Sequence, residues 1–272
     1  MTTTDEQPKG QGTVLCWDAT GTAVTDAGAA PAVILICEHA SAALAGDWTM
    51  ASPEVLASHA ASDLGALGLA KALAAGLARA CGGAELVHAP LSRLIYDLNR
   101  SPDRPDAVPA QSEVHSIPMN ARVTPQDKLN RVMQLYLPFH ALVQARIARA
   151  LALGQRPVLL TVHSFTPVWH GVPRAVEFGV IHDEAQGLAR RIVQEAAALG
   201  LTTRLNEPYS AADHVTHTLR LHATPYGLEN AMLEIRNDLI ATPEAQAAMA
   251  AKLGPVLARA MATQTELSCR AS

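Results

Sequence analysis

Ala32-Val-Ile-Leu-Ile36-Cys37-Glu38-His39-Ala40 sets an unbroken apolar run directly against an acid and an imidazole. A run this short, with no polar alternation, reads as a strand buried on both faces. In open α/β sheets, ligands gather in the crevice beyond the carboxyl ends of the strands, and Glu38 and His39 fall there. The pattern recurs twice. Val158-Leu-Leu-Thr-Val162 runs into His163-Ser164-Phe165, and Ala231-Met-Leu-Glu234-Ile235 runs into Arg236-Asn237-Asp238. Three buried strands, each ending in metal- or proton-handling side chains, point to an enzyme active site.

Helical spacing fills the intervals between these strands. Residues 62–80 are rich in Ala and Leu, with Ser62 as N-cap and Cys81-Gly82-Gly83 as the stop. Residues 84–89 and 94–98 read as strands. Residues 101–119 hold Pro102, Pro105, Pro109 and Pro118, so they predict a long loop that covers or lines a site. Residues 124–153 predict a long helix with Thr124 as N-cap, Pro125 at its first position, Asp127 in its first turn and Gly154 after its end. A strand over 175–181, a helix over 183–199, a strand over 201–205, an extended segment over 214–218 and a closing helix over 242–263 complete the series. This alternation predicts a three-layer α/β/α sandwich around a mainly parallel, mixed sheet. No repeat or linker divides the chain, so residues 13–272 read as one domain. Residues 1–12 read as a flexible polar tail without the apolar region of a signal peptide.

Bulk properties exclude several functions. The 272 residues are 49% hydrophobic, enough for a large core, and only 4% aromatic, which argues against base-stacking surfaces. The net charge of −4, with no basic run, argues against nucleic acid and anionic membranes as partners. No apolar run approaches the ~20 residues that span a bilayer. The four cysteines, Cys16, Cys37, Cys81 and Cys269, are scattered and form no CxxC. They suit the reduced thiols of a cytoplasmic protein. Nucleotide-binding glycine motifs and the GxSxG nucleophile elbow are missing. The partner expected is a small molecule; a homo-oligomer is left open.

Catalytic zinc takes three protein ligands from His, Asp and Glu and keeps one position for water. His39 and His163 both follow apolar strands, and neighbouring parallel strands would bring them to one ion. Asp63, in His59-Ala-Ala-Ser-Asp63, is the preferred third ligand. Glu38 is the alternative, as ligand or as supporting partner. Glu234 sits in an otherwise apolar strand, where a buried carboxylate needs a partner or a purpose. It suits a general base beside a metal-bound water, or an ion pair with an arginine. Asn99-Arg100 and Arg174 could capture carboxylates through amide and guanidinium donors, although single arginines also serve as surface ion pairs. The stretch from Asn206-Glu-Pro-Tyr209-Ser210 to His214, His217 and His222 reads as a pocket-lining loop, with a second metal site as the weaker alternative.

At these residues the chain resembles the N-formylglutamate amidohydrolase family. The resemblance rests on Ile36-Cys-Glu-His-Ala-Ser41, His59-Ala-Ala-Ser-Asp63-Leu-Gly-Ala, Ser92-Arg-Leu-Ile-Tyr-Asp-Leu-Asn-Arg100, His163-Ser-Phe-Thr-Pro167, Asn206-Glu-Pro-Tyr-Ser210 and Glu234-Ile-Arg-Asn-Asp238, in that order. It implies a fold like that of the zinc-dependent exopeptidases, a divalent metal (usually Zn²⁺), and hydrolysis of the amide of an acidic N-acyl amino acid such as N-formylglutamate. It implies His39 and His163 as ligands, Glu234 as base, and Asn99-Arg100 as the holder of a substrate carboxylate. Carboxypeptidase-type sites carry a ligand Glu three residues after the first His; here that position is Ala42.

The expected mechanism is metal-assisted amide hydrolysis, with the metal on His39, Asp63 and His163, Glu234 as base, and Arg100, Asn99 and Arg174 orienting the substrate. Two alternatives stay open. One is a metal-dependent deacylase or peptidase with a different acyl group or amino acid. The other is a metal-free small-ligand binding protein on the same scaffold.

Overall fold

The computed structural model describes residues 15–18 and 30–270. Its centre is a seven-stranded mixed sheet. The strands are β1 (Leu15–Asp18), β2 (Val33–Cys37), β3 (Ala84–His88), β6 (Val158–Phe165), β9 (Phe178–Ile181), β10 (Thr203–Leu205) and β11 (Asn230–Arg236). Two small hairpins lie outside it, β4 (Gln111–Ser112) with β5 (His115–Ser116), and β7 (Val168–Trp169) with β8 (Val172–Pro173), as does the one-turn helix α1 (Pro53–Leu56). The spatial order is β1-β3-β2-β6-β11-β9-β10. The four strands from β3 to β11 are parallel to one another, whereas β1 on β3 and β9 on β11 are antiparallel.

Strand alternation sorts the core onto two faces. Val33, Leu35 and Cys37 of β2 join Leu160, Val162, Leu233 and Ile235 against the helices α2 (Ala66–Cys81), α5 (Gly187–Ala196) and α7 (Pro243–Arg270). Ile34 and Ile36 join Leu159 and Met232 against α4 (Leu137–Ala152) and α6 (His217–His222). Helices on both faces of one sheet make the three-layer α/β/α architecture that the alternation predicts. From β2 the chain crosses through α2 to β3 on one side. It later enters β6 on the other side, so the switch point of the topology lies between β2 and β6. A crevice opens at such a point.

Several local expectations change. The helix expected from Ser62 begins at Ala66, after Gly65 in a left-handed conformation (φ +81°). A Cβ at Gly65 would overlap the Ile240 carbonyl oxygen, so close packing places the start there. Residues 58–65 are spent on turns instead. Residues 94–98 form buried turns rather than a strand, closed by Ile95 N–H to Ser92 O (3.1 Å) and Arg100 N–H to Asp97 O (3.0 Å). Residues 214–218 turn into α6 instead of extending, because the Asn99 Oδ1 accepts the Thr218 N–H at 3.0 Å. The long helix splits into α3 (Pro125–Arg131), a π turn over Val132–Tyr136, and α4. Its N-terminus is a capping box, with Thr124 Oγ1 accepting from Asp127 N–H (3.1 Å) and Asp127 Oδ2 from Thr124 N–H (3.0 Å). Strand β1 was not expected from the sequence. The tail expected over residues 1–12 lies outside the described residues.

Candidate active site

Strand β2 ends at Cys37, so Glu38 and His39 leave the ladder and are no longer forced to opposite sides. The His39 carbonyl accepts the Asp63 N–H at 2.9 Å, tying the turn before α2 to the strand end. Next door, β6 and β11 pair with His163 directly opposite Glu234. Both side chains therefore emerge on one face, the α4/α6 face that also takes Leu159 and Met232. Four chain segments thus converge on the β2–β6 crevice.

His39, Asp63 and His163 meet there, all buried. One ligand atom from each lies within 4.8 Å of the others. His163 Nδ1 is 2.8 Å and His39 Nδ1 3.2 Å from the same oxygen, Asp63 Oδ2. The far ring nitrogens face two further carboxylates. His39 Nε2 is 2.7 Å from Asp97 Oδ1, and His163 Nε2 is 3.2 Å from Glu38 Oε2. A carboxylate behind each imidazole fixes the ring and raises its basicity as a metal ligand. The donor set of two nitrogens and one carboxylate oxygen matches what Zn²⁺ and similar divalent ions take. Glu38, the alternative third ligand, stands behind His163. Among the described residues this is the one His/Cys/Asp/Glu group close enough to share an ion; His214, His217 and His222 do not form a second.

Arg93 stitches the centre together, with Nη1 3.0 Å from Asp63 Oδ1 and Nη2 2.9 Å from Asp97 Oδ2. Burial alone would raise the Glu38 carboxyl, but the charge of His163 beside it holds it down at about 2. Burial likewise opposes ionisation of Asp97, yet His39, Arg93 and Arg100 hold it well below the usual carboxylate range. Glu234 behaves oppositely. Burial, with the nearby Asp63, pushes it up to about 7 against the pull of His163. Its Oε2 is buried without a hydrogen-bond partner. A buried carboxyl of raised pKa on a cavity wall is equipped to take and return a proton.

The cavity above these groups encloses about 200 Å³ and is lined by His59, Arg93, Asn99, Arg100, Tyr209 and Glu234 together with the three candidate ligands. Ser112 and Glu113 from the first hairpin and Trp169 from the second complete the wall, so the long loop does line the site. Asn99 spends its amide on structure: Nδ2 donates to Val215 O at 2.5 Å, and Oδ1 holds α6. Arg100 gives Nε to Asp106 Oδ2 (3.1 Å) and Nη1 to the carbonyls of Asn99 (3.0 Å) and His214 (3.1 Å). Arg174 is not on this wall. It stacks among Phe165, Trp169 and Tyr209 and donates to the Tyr209 hydroxyl at 3.1 Å.

Sequence reasoning missed four groups on or beside the wall. Arg93 and Asp97 lie on the quoted segment ending at Arg100, but their ion pairs are visible only in space. His59 stands four residues before Asp63, with Nδ1 3.7 Å from Asp63 Oδ1 and no hydrogen-bond partner; burial pushes it down to about 4. Glu113 gave no signal at all.

The family model of N-formylglutamate amidohydrolase matches residues 31–241. A gene product of Agrobacterium tumefaciens, Atu2144, is similar over 94% of this chain and 97% of its own, at 42% identity and a TM-score of 0.85. N-formylglutamate amidohydrolase from Ralstonia eutropha JMP134 is similar in fold over 93% and 99%, at 19% identity and a TM-score of 0.64. No curated protein matches the sequence. No helix among the described residues is long and apolar enough to cross a membrane. Because the family model covers well over half of the residues, including every candidate ligand and Glu234, the chain belongs to the N-formylglutamate amidohydrolase family.

Proposed function

We propose that this amidohydrolase cleaves the amide bond of an N-acyl amino acid, with the N-formyl group as first choice, and depends on a divalent metal, Zn²⁺ or a chemical neighbour. The observation that carries the reading is the convergence of His39, Asp63 and His163 on ligand atoms within 4.8 Å, each imidazole backed by a carboxylate. A cation held there would polarise the scissile carbonyl and lower the pKa of a water toward ~7.

The chain's own residues do the rest. Glu234, with an uncommitted buried oxygen, takes the proton from the attacking water and returns it to the departing amine. Arg100 directs Nη2 at the substrate α-carboxylate, held in place by Asp106 and two carbonyls. Asn99 fixes the loop that carries Arg100. Arg174 holds the Tyr209 ring against the cavity and so acts on substrate through that phenol. Arg93 neutralises Asp63 and Asp97 without taking a substrate contact.

The test is elemental analysis of protein purified without added ions, with assays on N-formyl, N-acetyl and dipeptide substrates, N-formylglutamate among them. Glu234→Gln should retain its metal and lose turnover by about 10²–10⁴-fold. Near-normal turnover in that variant rejects the base assignment. Metal-free protein that binds N-acyl amino acids and never cleaves them rejects the enzyme in favour of a binding protein.

A further inference from the structure

The loop after β10 reaches the cavity because a strand beneath it lacks a side chain. Gly179 of β9 pairs with Glu234 of β11. A Cβ at Gly179 would collide with the Glu207 carbonyl oxygen and meet the Glu234 Cβ at 3.3 Å. The bare backbone lets the loop settle onto the sheet next to Glu234. Asn206, left-handed at φ +55°, starts the descent, a conformation that Asn tolerates. Its N–H donates to the Val180 carbonyl at 2.9 Å, and its Oδ1 accepts the His182 N–H at 3.1 Å. These bonds pin the loop to the end of β9. Three residues on, Tyr209 joins the cavity wall.

The Tyr209 hydroxyl is arranged to donate. Its oxygen accepts from Arg174 Nη1 at 3.1 Å, and its own hydrogen has no acceptor among the described residues. A phenol whose oxygen accepts from a cation becomes a stronger donor through its O–H. Arg174 forms no ion pair among the described residues, so a positive charge without a carboxylate partner stands beside the phenol, its Cζ 5.0 Å from the ring centre. Burial, then the charge of Glu234, pushes the phenol up against the pull of Arg174, so it keeps its proton at neutral pH. Neighbouring donors are spent on structure. Arg93 holds Asp63 and Asp97, the Asn99 amide holds the Val215 carbonyl, and the Ser164 hydroxyl donates to the Leu64 carbonyl at 2.8 Å.

We propose that Tyr209 is a catalytic residue whose O–H donates a hydrogen bond to the oxyanion of the tetrahedral intermediate, with Arg174 as its positioning residue. This rests on the amide-hydrolase reading above. Water adds to the carbonyl carbon while Glu234 takes its proton, and the C=O π pair moves onto the oxygen. Tyr209 meets that charge without giving up its own proton. When the pair returns, the C–N bond breaks and Glu234 passes its proton to the amine. The substrate carbonyl carries no full charge, so this hydrogen bond strengthens as the reaction proceeds, and its loss falls on kcat.

The experiment measures kcat and KM of metal-loaded wild type and Tyr209→Phe on the substrate panel above, N-formyl-L-glutamate included. The substitution keeps the ring and removes only the hydroxyl. It should leave metal content and Tm unaltered, change KM by less than about threefold and lower kcat by about 10²–10³-fold. Calorimetry gives a readout independent of turnover. N-phosphoryl-L-glutamate, whose tetrahedral oxygens imitate the intermediate, should bind the variant at least about tenfold more weakly than wild type, and L-glutamate should bind both equally. A structural role would weaken both ligands alike. Arg174→Met should lower kcat in the wild-type background and lower it little further in Tyr209→Phe; fully additive losses reject its action through the phenol. Wild-type turnover in Tyr209→Phe, or equal weakening of the two ligands, overturns the role of Tyr209 and leaves the hydrolase reading intact. A wild type that cleaves no member of the panel overturns the hydrolase reading, and the catalytic role of Tyr209 with it.

Discussion

His140 on α4 and His222 on α6 form a buried pair whose protonation should make the protein sensitive to mild acid. Their contact is His140 Nδ1 to His222 Nε2 at 2.8 Å, and His140 Nε2 lies 3.0 Å from the Leu98 carbonyl. The carbonyl can only accept, so His140 Nε2 carries the hydrogen and its Nδ1 is bare. His222 Nε2 must then donate. Both rings are neutral, and a second proton on His140 would set N–H against N–H. Burial, reinforced by the neighbouring imidazoles, pushes His140 down to about 3 and His222 down to about 4.

The unfolded chain binds these protons near pH 6.5 and the folded one does not. Stability therefore rises with pH wherever the unfolded state holds more protons. It is lost as pH falls from about 6.5 toward the folded values. At pH 5 each histidine is roughly 1.5 units below its unfolded pKa, which corresponds to about 2 kcal/mol per group and about 4 kcal/mol for the pair. The assay is urea unfolding of metal-stripped protein at pH 7.5 and pH 5. Other buried groups contribute to the wild-type difference, with His59 acting in the same direction and His39 and His163 opposing. The informative quantity is the change on substitution. His222→Gln can still donate to His140 Nδ1, and it should reduce the acid-induced loss by about 2 kcal/mol, roughly 0.7 M urea at an m-value of about 3 kcal/mol/M. His140→Gln should do the same. If wild type and both variants lose stability in parallel between the two pH values, the neutral-pair account is refuted.

Glu38→Gln should weaken metal affinity 10- to 100-fold, about 1.4–2.7 kcal/mol, because it removes the carboxylate behind His163 Nε2; competition with a chromophoric chelator reads it, and unchanged affinity rejects the supporting role. Gly179→Ala would drive a Cβ into the Glu207 carbonyl oxygen and against the Glu234 Cβ at 3.3 Å. It should cost about 1–3 kcal/mol and raise KM by displacing the neighbouring Tyr209, with metal content unaltered. Thermal melts and steady-state kinetics test both effects. Thr124→Ala removes a capping box remote from the cavity and should cost about 1 kcal/mol; a matching loss of kcat would show that α3 does more than hold the loop.

The elements legible in the sequence are those whose burial is uniform. Residues of β2 are all buried, so an uninterrupted apolar run revealed the strand. β6 and β11 were read for the same reason. The capping box at Thr124 was readable because its chemistry is local. What escaped depends on distant partners. Leu94, Ile95, Tyr96 and Leu98 are buried, as in a strand, but Arg131 pins that segment from α3 by donating to Ile95 O at 2.8 Å and to Asn120 Oδ1 at 2.6 Å. Residues 214–218 read as an extended segment, but a side chain more than a hundred positions upstream, Asn99, caps their turn into α6. In an extended chain Glu38 and His39 would point to opposite sides. The strand ends one residue earlier, which removes the conflict.

The same alternation explains why the site forms where it does. Ile34, Ile36, Leu159 and Met232 all face α4 and α6, and continuing the two-residue period from Leu159 and Met232 reaches His163 and Glu234 on that face. These strands carry apolar side chains for most of their length and change to ionisable ones only at the carboxyl ends, where the crevice opens. A buried cluster of Glu38, Asp63, Asp97, His39 and His163, edged by the half-buried Arg93, is costly to desolvate, and burying charge is a poor way to gain stability. Packing alone would have been served by continuing the apolar runs one or two residues further. The observed composition makes sense if the ends of β2, β6 and β11 are given over to chemistry while the apolar lengths behind them hold the fold. Glu234 is the sharpest instance: a carboxyl with an unpaired buried oxygen, directly opposite His163 in the ladder, has no structural partner that would justify its burial and faces a cavity in which a proton acceptor is useful.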